Sequence, residues 1–389
     1  MKPIEILNSL FLFICFSFAF SCGEDAGTTS NSNSTETAIN IGTDTEAGVD
    51  TSNNKQPFKN LSDFGFFKGE IKNLDPKLQV IEYAPSSTLF TDYAEKERFV
   101  YFPKGEKATY NTDHEVFVFP VGTIIIKNFF YYNDARNPSA GRRIIETRLL
   151  VKRETQWDSY EYEWNTLQTD AVRKATGRSN IPDIVFIDKT GATKTITGYD
   201  LPSESKCVDC HSYKNAFSPI GPKPSLLNWD FDYGGTIGTA NQIDKWVELG
   251  YLSTAGLPNK SNIQKIPNYY DETASIESRG KAYLDINCAH CHNANGTVKG
   301  NGFYVNYSNT DYGQRGIGKK PTTYQGSGLD YDMYAGDAEK SVLFYRMTHT
   351  GPADIMPAVG RNVNHTEGIE IVRQYINSLD PNLNPSVNP

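Results

Sequence analysis

The chain has 389 residues, with 46 acidic against 38 basic side chains and a formal net charge of −8. An acidic chain without a basic run argues against nucleic acid as a partner. About 330 residues remain after the N-terminal segments described next, which is enough for two domains.

The N-terminus carries the pattern of an export signal. Lys2 precedes an apolar run from Leu10 to Phe20 that is too short to cross a bilayer and is typical of a signal-peptide core. The run ends in Ala19-Phe20-Ser21-Cys22, which resembles the lipobox of a bacterial lipoprotein. The resemblance implies that residues 1–21 are removed and that acyl chains on Cys22 anchor the mature protein to a membrane. Ordinary signal cleavage and an uncleaved anchor helix are the alternatives.

Residues 22–56 are rich in Ser, Thr, Asn, Gly and acidic side chains, so they cannot bury enough apolar surface to fold. We expect a disordered tether. Its start, Gly23-Glu24-Asp25, resembles the surface-export signals of Bacteroidetes lipoproteins. The expected location is extracytoplasmic, lipid-anchored at an outer membrane, on its periplasmic or cell-surface face.

Residues 57–235 predict a β-rich domain, expected as an antiparallel sandwich or barrel that ends in a cysteine motif. Residues 123–126 and 144–151 are apolar runs, and aromatic residues alternate with polar ones around Tyr162. Residues 184–187 and 193–197 flank Asp188-Lys189-Thr190-Gly191 and predict a hairpin.

The remainder predicts helices, so the expected fold class is α+β with several domains. Residues 236–272 form a helical connector, in which Ile243, Trp246 and Val247 share a helical face ahead of Gly250. Residues 273–381 are expected to be an all-α domain similar to a small class I cytochrome c. Its first helix runs into Cys288, and the spacing of apolar residues over 369–379 predicts its last.

Cysteine spacing is the most specific signal in the sequence. Cys15 leaves with the signal peptide and Cys22 is assigned to lipid, so four cysteines remain. They form Cys207-Val208-Asp209-Cys210-His211, the first motif, and Cys288-Ala289-His290-Cys291-His292, the second motif. The Cys-x-x-Cys-His pattern is typical of covalent c-type haem attachment. Two thiols add to the haem vinyl groups, and the adjacent histidine, here His211 or His292, binds the iron.

Two other interpretations of the cysteine pairs fit less well. A structural zinc site would join both pairs, which lie about 80 residues apart, whereas such sites have closer spacing. A thioredoxin-like dithiol needs a βαβ setting that the pattern does not predict.

The sequence predicts a second axial ligand for the second motif but not for the first. Met356-Pro357 precedes the closing helix and resembles the distal-ligand segment of small c-type cytochromes, so Met356 is expected to pair with His292. Met347 fits core packing, and Met333 is a weaker rival ligand. The sixth ligand of the first haem stays unknown, with His114, His349 or an open position as the alternatives; His290 lies inside the attachment loop.

Several segments together resemble one family: residues 119–123, residues 146–151, Trp157 with Tyr162 and Trp164, and the first motif followed by Gly221-Pro222-Lys223. They are similar to dihaem c-type cytochromes that are often encoded beside a parallel β-helix repeat protein. The likeness covers about residues 60 to 380. It implies two covalent haems bound through Cys207, Cys210, Cys288 and Cys291, and electron transfer.

We therefore expect an exported electron carrier that serves redox proteins, with the parallel β-helix protein as a candidate partner. Two alternatives stay open. One is a peroxidase-like enzyme with an open haem at the first motif. The other is a ligand-binding β-domain with accessory haems, since its many aromatic side chains could line a binding face. The sequence favours a carrier over a catalyst.

Overall fold

The computed structural model describes residues 57–235 and 237–385. The predicted signal peptide, Cys22 and the tether lie outside the described residues. Within the described ranges, no helix combines the length and the apolar character that crossing a membrane requires.

A six-stranded antiparallel sheet forms the centre of the β-rich region, and its strand order follows the chain. Each strand pairs with the one that follows it. The strands predicted around residues 123–126, 144–151 and Tyr162 are confirmed. The six strands are β1 (Val80–Glu82), β2 (Glu95–Tyr101), β3 (Ile124–Tyr132), β4 (Arg142–Lys152), β5 (Trp157–Trp164) and β6 (Ala171–Arg173).

The sheet is open, which corrects the expected sandwich or barrel. β1 and β6 are its two edges and do not pair with each other. The other described strands form two-stranded hairpins that are too small for a second sheet. Alternating hydrophobicity identifies a strand but not what covers it, because a loop or helix buries an apolar face as well as a sheet does. The hairpins join β7 (Ile184–Ile187) to β8 (Thr193–Ile196), β9 (Ser212–Tyr213) to β10 (Ala216–Phe217), and β11 (Asp230–Asp232) to β12 (Thr239–Asn241).

Aromatic loops and short elements cover both faces of the sheet. One face packs against the segment that contains Leu61, Phe64 and Phe66. The opposite face packs at one end against Trp246 of α2 (Gln242–Glu248) and at the other against the β7–β8 hairpin. β5 also contacts the segment that leads into the first motif, because the Ser159 hydroxyl donates to the Glu204 carbonyl at 3.3 Å.

The expected all-α cytochrome c-like domain is wrong. Its helices are confirmed at both ends of the region, as α3 (Ile276–Asn287) and α5 (Thr366–Asn377), with the short α4 (Val342–Thr348) before α5. Residues 288–341 instead form loops and short 3-10 turns. The helical periodicity existed only in the flanking segments, and the Gly- and Asn-rich middle has no apolar stripe to support a helix. Upstream, the described chain also contains α1 (Pro224–Leu227).

α3 and α5 cross in close contact because each presents a glycine to the other's tyrosine. A Cβ atom at Gly280 would lie 2.4 Å from the Cβ of Tyr375, and one at Gly368 would lie 2.2 Å from the ring of Tyr283. Ala282, Ile286, Val372 and Ile376 complete the buried contact. The crossing fixes the C-terminal end of α3, from which the second motif starts.

Candidate functional site

The second motif continues directly from α3. Ser275 caps the start of this helix by accepting a hydrogen bond from the Ser278 backbone N–H at 3.2 Å, and Cys288 is the residue that ends it. The next turn keeps helical bonding, since the His292 N–H donates to the Cys288 carbonyl at 2.9 Å. Cys288, Cys291 and His292 are therefore held by a rigid element.

A cavity of about 400 Å³ adjoins these three side chains; we name it the second-motif cavity. Its volume lies within the range of protein sites for small molecules and cofactors, about 300–1,000 Å³. Met356 belongs to the same lining as Cys288, Cys291 and His292. Apolar side chains supply much of the remainder, among them Phe303, Val342, Leu343, Met347 and Pro357.

The imidazole of His292 is uncharged, as a metal-binding histidine has to be. Burial lowers the pKa of His292 to about 4, so its ring is neutral at pH 7. The Asn301 side-chain nitrogen lies 3.3 Å from His292 Nδ1, and the Phe303 ring packs edge-on against it with centroids 5.1 Å apart. These contacts orient the ring.

One arginine, Arg361, holds the loop that carries Met356. Its side chain is only 7% exposed. Its Nε donates to the Met356 carbonyl at 3.1 Å, and its Nη2 donates to the carbonyls of Met347 at 3.1 Å and His349 at 3.0 Å. Nη1 donates to the Asn364 side chain at 2.6 Å. Arg361 thus ties the Met356 loop to the end of α4.

The first motif begins in a 3-10 turn over Glu204–Asp209, and the His211 N–H donates to the Cys207 carbonyl at 2.9 Å. His211 Nδ1 lies 2.9 Å from the Ser218 carbonyl, so this nitrogen carries the proton and Nε2 is left as the acceptor. Phe217 stacks on the ring with centroids 5.2 Å apart. Burial lowers the pKa of His211 to about 3, which keeps the imidazole neutral.

A second cavity, of about 510 Å³, adjoins this motif; we name it the first-motif cavity. Cys210 and His211 lie in its lining, and so does His114. Cys207 does not, although it sits one turn before His211 in the same segment.

The loop that carries His114 is fixed on both sides of this residue. Asp113 accepts hydrogen bonds from Tyr110 at 2.8 Å and, through its other carboxylate oxygen, from the Gln264 N–H at 2.9 Å. Glu115 accepts from the Tyr213 hydroxyl at 2.9 Å, just beyond the first motif. His114 is therefore held at the cavity by its two neighbours.

The two motifs meet at one point. Cys210, His290 and Cys291 place their sulfur and nitrogen atoms within 4.8 Å of one another. Contact between the two thiols lowers the pKa of Cys291 to about 4 and raises the pKa of Cys210. Cys210 and His290 line both cavities, so the first-motif and second-motif cavities adjoin.

The remaining candidate iron ligands lie at different distances from the two cavities, and only some of them belong to a cavity lining. Met333 is completely buried in the core and does not line the second-motif cavity, whereas Met347 belongs to both the core and the cavity lining. His349 lines neither cavity; its ring stacks on Tyr345 with centroids 3.8 Å apart. Of the two histidines considered for the first haem, the structure brings only His114 to the first motif.

Sequence reasoning missed Arg361. It is a lone basic residue in a Gly- and Asn-containing loop, which by itself is typical of an exposed side chain. Its position five residues after Met356, between that methionine and the closing helix, was the available signal.

No protein-family model matches this chain, and neither the curated proteins nor the solved structures contain a match to it.

Proposed function

We propose that this chain is an exported dihaem c-type cytochrome that transfers electrons between extracytoplasmic redox partners. The observation that supports the proposal is that each Cys-x-x-Cys-His motif adjoins its own cavity, with its histidine in the lining. The four cysteines of the motifs are free thiols, as attachment to vinyl groups requires.

The residues of the two motifs fit a covalently attached haem in several respects. Cys207, Cys210, Cys288 and Cys291 would form the thioether links, and the neutral rings of His211 and His292 would bind iron. When bound, each haem supplies one-electron redox chemistry. Met356 would bind the iron together with His292, and a thioether ligand favours a higher reduction potential than a second imidazole does.

The two cavities share part of their lining, which supports the proposal of two such sites in one chain. Because Cys210 and His290 belong to both linings, the two bound groups would lie next to each other.

The cluster of Cys210, His290 and Cys291 favours a second candidate, a protein that holds a metal ion with two thiolates and one imidazole. This assignment leaves Cys207, Cys288 and both motif-terminal histidines without a role. The haem proposal uses all of them.

The test is a haem and metal count on protein made with the c-type maturation machinery. The reduced pyridine-haem spectrum should show two haems per chain. A Cys207→Ala/Cys210→Ala variant should lose one haem, and a Cys288→Ala/Cys291→Ala variant the other. Stoichiometric zinc with no covalent haem would refute the proposal in favour of the metal-ion candidate.

Axial ligation at the second motif is tested separately. Met356→Leu should abolish the charge-transfer band of methionine-bound ferric haem, whereas Met347→Leu, which alters the same cavity lining, should keep it. Loss of the band in Met347→Leu alone would assign the ligand to Met347 instead.

A further inference from the structure

The two motifs bring one thiol of each close together, although they are far apart in the chain. Cys210 of the first motif and Cys291 of the second place their sulfur atoms within 4.8 Å of each other. The Cys291 thiol also donates a hydrogen bond to the Asp209 carbonyl at 3.5 Å, across a separation of 82 residues. The thiol of the second motif is therefore directed at the first motif.

The remaining two thiols have different surroundings. The Cys207 sulfur lies 4.0 Å from the Ser203 carbonyl at the start of its own turn. Cys288 also lines a separate small cavity, formed within the described chain by residues outside the first motif. Cys210, by contrast, lines the second-motif cavity together with Cys291. Cys210 and Cys291 are therefore the two thiols that face each other where the motifs meet.

Hydrogen bonds hold together the segments that carry these two thiols. The Thr297 hydroxyl donates to the Asp209 carbonyl at 3.0 Å, so the loop after the second motif is bonded to the first motif. The Lys214 N–H, in the turn between β9 and β10, donates to the Asn295 carbonyl at 2.9 Å. Because both segments are fixed in this way, a reaction between the two thiols is favoured by their proximity.

Both thiols can be reached by a reagent in solution. Cys210 and Cys291 are half-buried and belong to the lining of the second-motif cavity. To form a disulfide, their sulfur atoms have to approach from at most 4.8 Å to about 2.05 Å. In an oxidising compartment, neighbouring accessible thiols form such bonds.

We propose that Cys210 and Cys291 form a disulfide that joins the two motifs in the chain before haem is attached. This inference rests on the proposed function, because it concerns the same attachment thiols. The bond would leave each motif with a single thiol, Cys207 in the first and Cys288 in the second. Since attachment uses two thiols per haem, one disulfide blocks both sites, and its reduction releases both at once.

The chemistry is thiol–disulfide exchange with an external disulfide, carried by a protein or a small molecule. The Cys291 sulfur loses its proton to water and attacks one sulfur of that disulfide, whose S–S bond breaks and releases a thiolate that takes up a proton. The Cys210 sulfur, deprotonated in the same way, then attacks the Cys291 sulfur and displaces the second external thiol. The chain loses two electrons and two protons, and the external disulfide gains them.

The test maps disulfides in the full-length chain exported without the c-type maturation machinery. Free thiols are alkylated with N-ethylmaleimide in the absence of reductant, and the peptides are identified by mass spectrometry. We expect a cross-linked pair that contains Cys210 and Cys291, with Cys207 and Cys288 alkylated. Disulfides within each motif, or four alkylated thiols, would overturn the proposal. Thiols that become reactive only after treatment with EDTA would assign the cluster to a metal ion and would also overturn it.

Two matched variants test whether the hydrogen bonds between the motifs favour this pairing. Thr297→Val removes the hydroxyl that donates to the Asp209 carbonyl. In glutathione buffers, the equilibrium constant for forming the disulfide should fall about fivefold, the effect of one neutral hydrogen bond. Thr322→Val is the control, because its hydroxyl donates to the Asn301 carbonyl at 3.2 Å, outside the first motif, and this variant should keep the wild-type constant. A disulfide equally stable in both variants would refute the geometry from which the pairing is inferred.

The haem count keeps this inference apart from the proposed function. Two haems per chain after maturation, with disulfides only within each motif before it, would refute the inference alone. A Cys210–Cys291 disulfide in a chain that acquires no haem during maturation would refute the proposed function alone.

Discussion

Replacing Arg361 by methionine should detach Met356 from the second-motif cavity. The guanidinium of Arg361 joins the Met356 carbonyl to the carbonyls of Met347 and His349 and to the Asn364 side chain. Methionine fills a similar volume but donates no hydrogen bonds. The Met356 loop would then lose its attachment to α4 although no residue next to Met356 has changed.

The structure sets the size of the effect. A hydrogen bond to a charged group contributes roughly 1.5–3 kcal/mol, and such contributions are not additive within one network. Because Arg361 is only 7% exposed, water replaces few of the lost bonds. We expect local destabilisation of about 3–5 kcal/mol, as for breaking a buried charged network.

The assay is the charge-transfer band of methionine-bound ferric haem, followed with temperature beside the haem count. Arg361→Met should lose the band at a lower temperature than the wild type while keeping both haems. Arg373→Met is the matched control, since Arg373 is 40% exposed and its ion pairs contribute no more than about 1 kcal/mol. An Arg361→Met protein with the wild-type band and melting temperature would refute this reasoning.

Three more predictions concern His114, Gly280 and His365. His114→Ala should convert one iron from low-spin to high-spin in the EPR spectrum of the oxidised protein, whereas His349→Ala should not; an already high-spin iron in the wild type would favour the peroxidase-like alternative. Gly280→Ala should destabilise the α3–α5 crossing by roughly 2 kcal/mol, because the cost of overpacking, about 3 kcal/mol, exceeds the gain in helix propensity, about 1 kcal/mol. Gly300→Ala, where a Cβ atom meets nothing within 4 Å, is the control. A Gly280→Ala melting temperature equal to that of the wild type would contradict the prediction. Burial lowers the pKa of His365 to about 3, so the folded protein keeps this ring neutral where the unfolded chain would protonate it. The stability that the neutral ring contributes is complete above about pH 6.5 and declines towards pH 3 by up to about 1.4 kcal/mol per pH unit. Urea titrations should therefore show a shallower loss of stability in acid for His365→Asn than for the wild type.

Local pattern was enough to predict the elements that position the site. Alternation identified β3, β4 and β5, and helical spacing identified α3 and α5, because each pattern reflects burial of one face of its own element. Extending the cytochrome likeness across residues 288–341 was wrong, since that segment has no periodicity from which a helix could be inferred. The sequence pattern also could not predict that the sheet is open, because closure into a barrel depends on whether the two edge strands pair.

The sequence by itself determined the candidate chemistry of this protein: two thiol pairs, each followed by a histidine, and a methionine before the closing helix. Each of these motifs consists of residues that are close together in the chain. Only the tertiary structure decided that His114 rather than His349 reaches the first-motif cavity and that Arg361 holds the Met356 loop. The physical reason is that these contacts join segments far apart in the chain, where strand register and helix crossing, rather than spacing, set the distance.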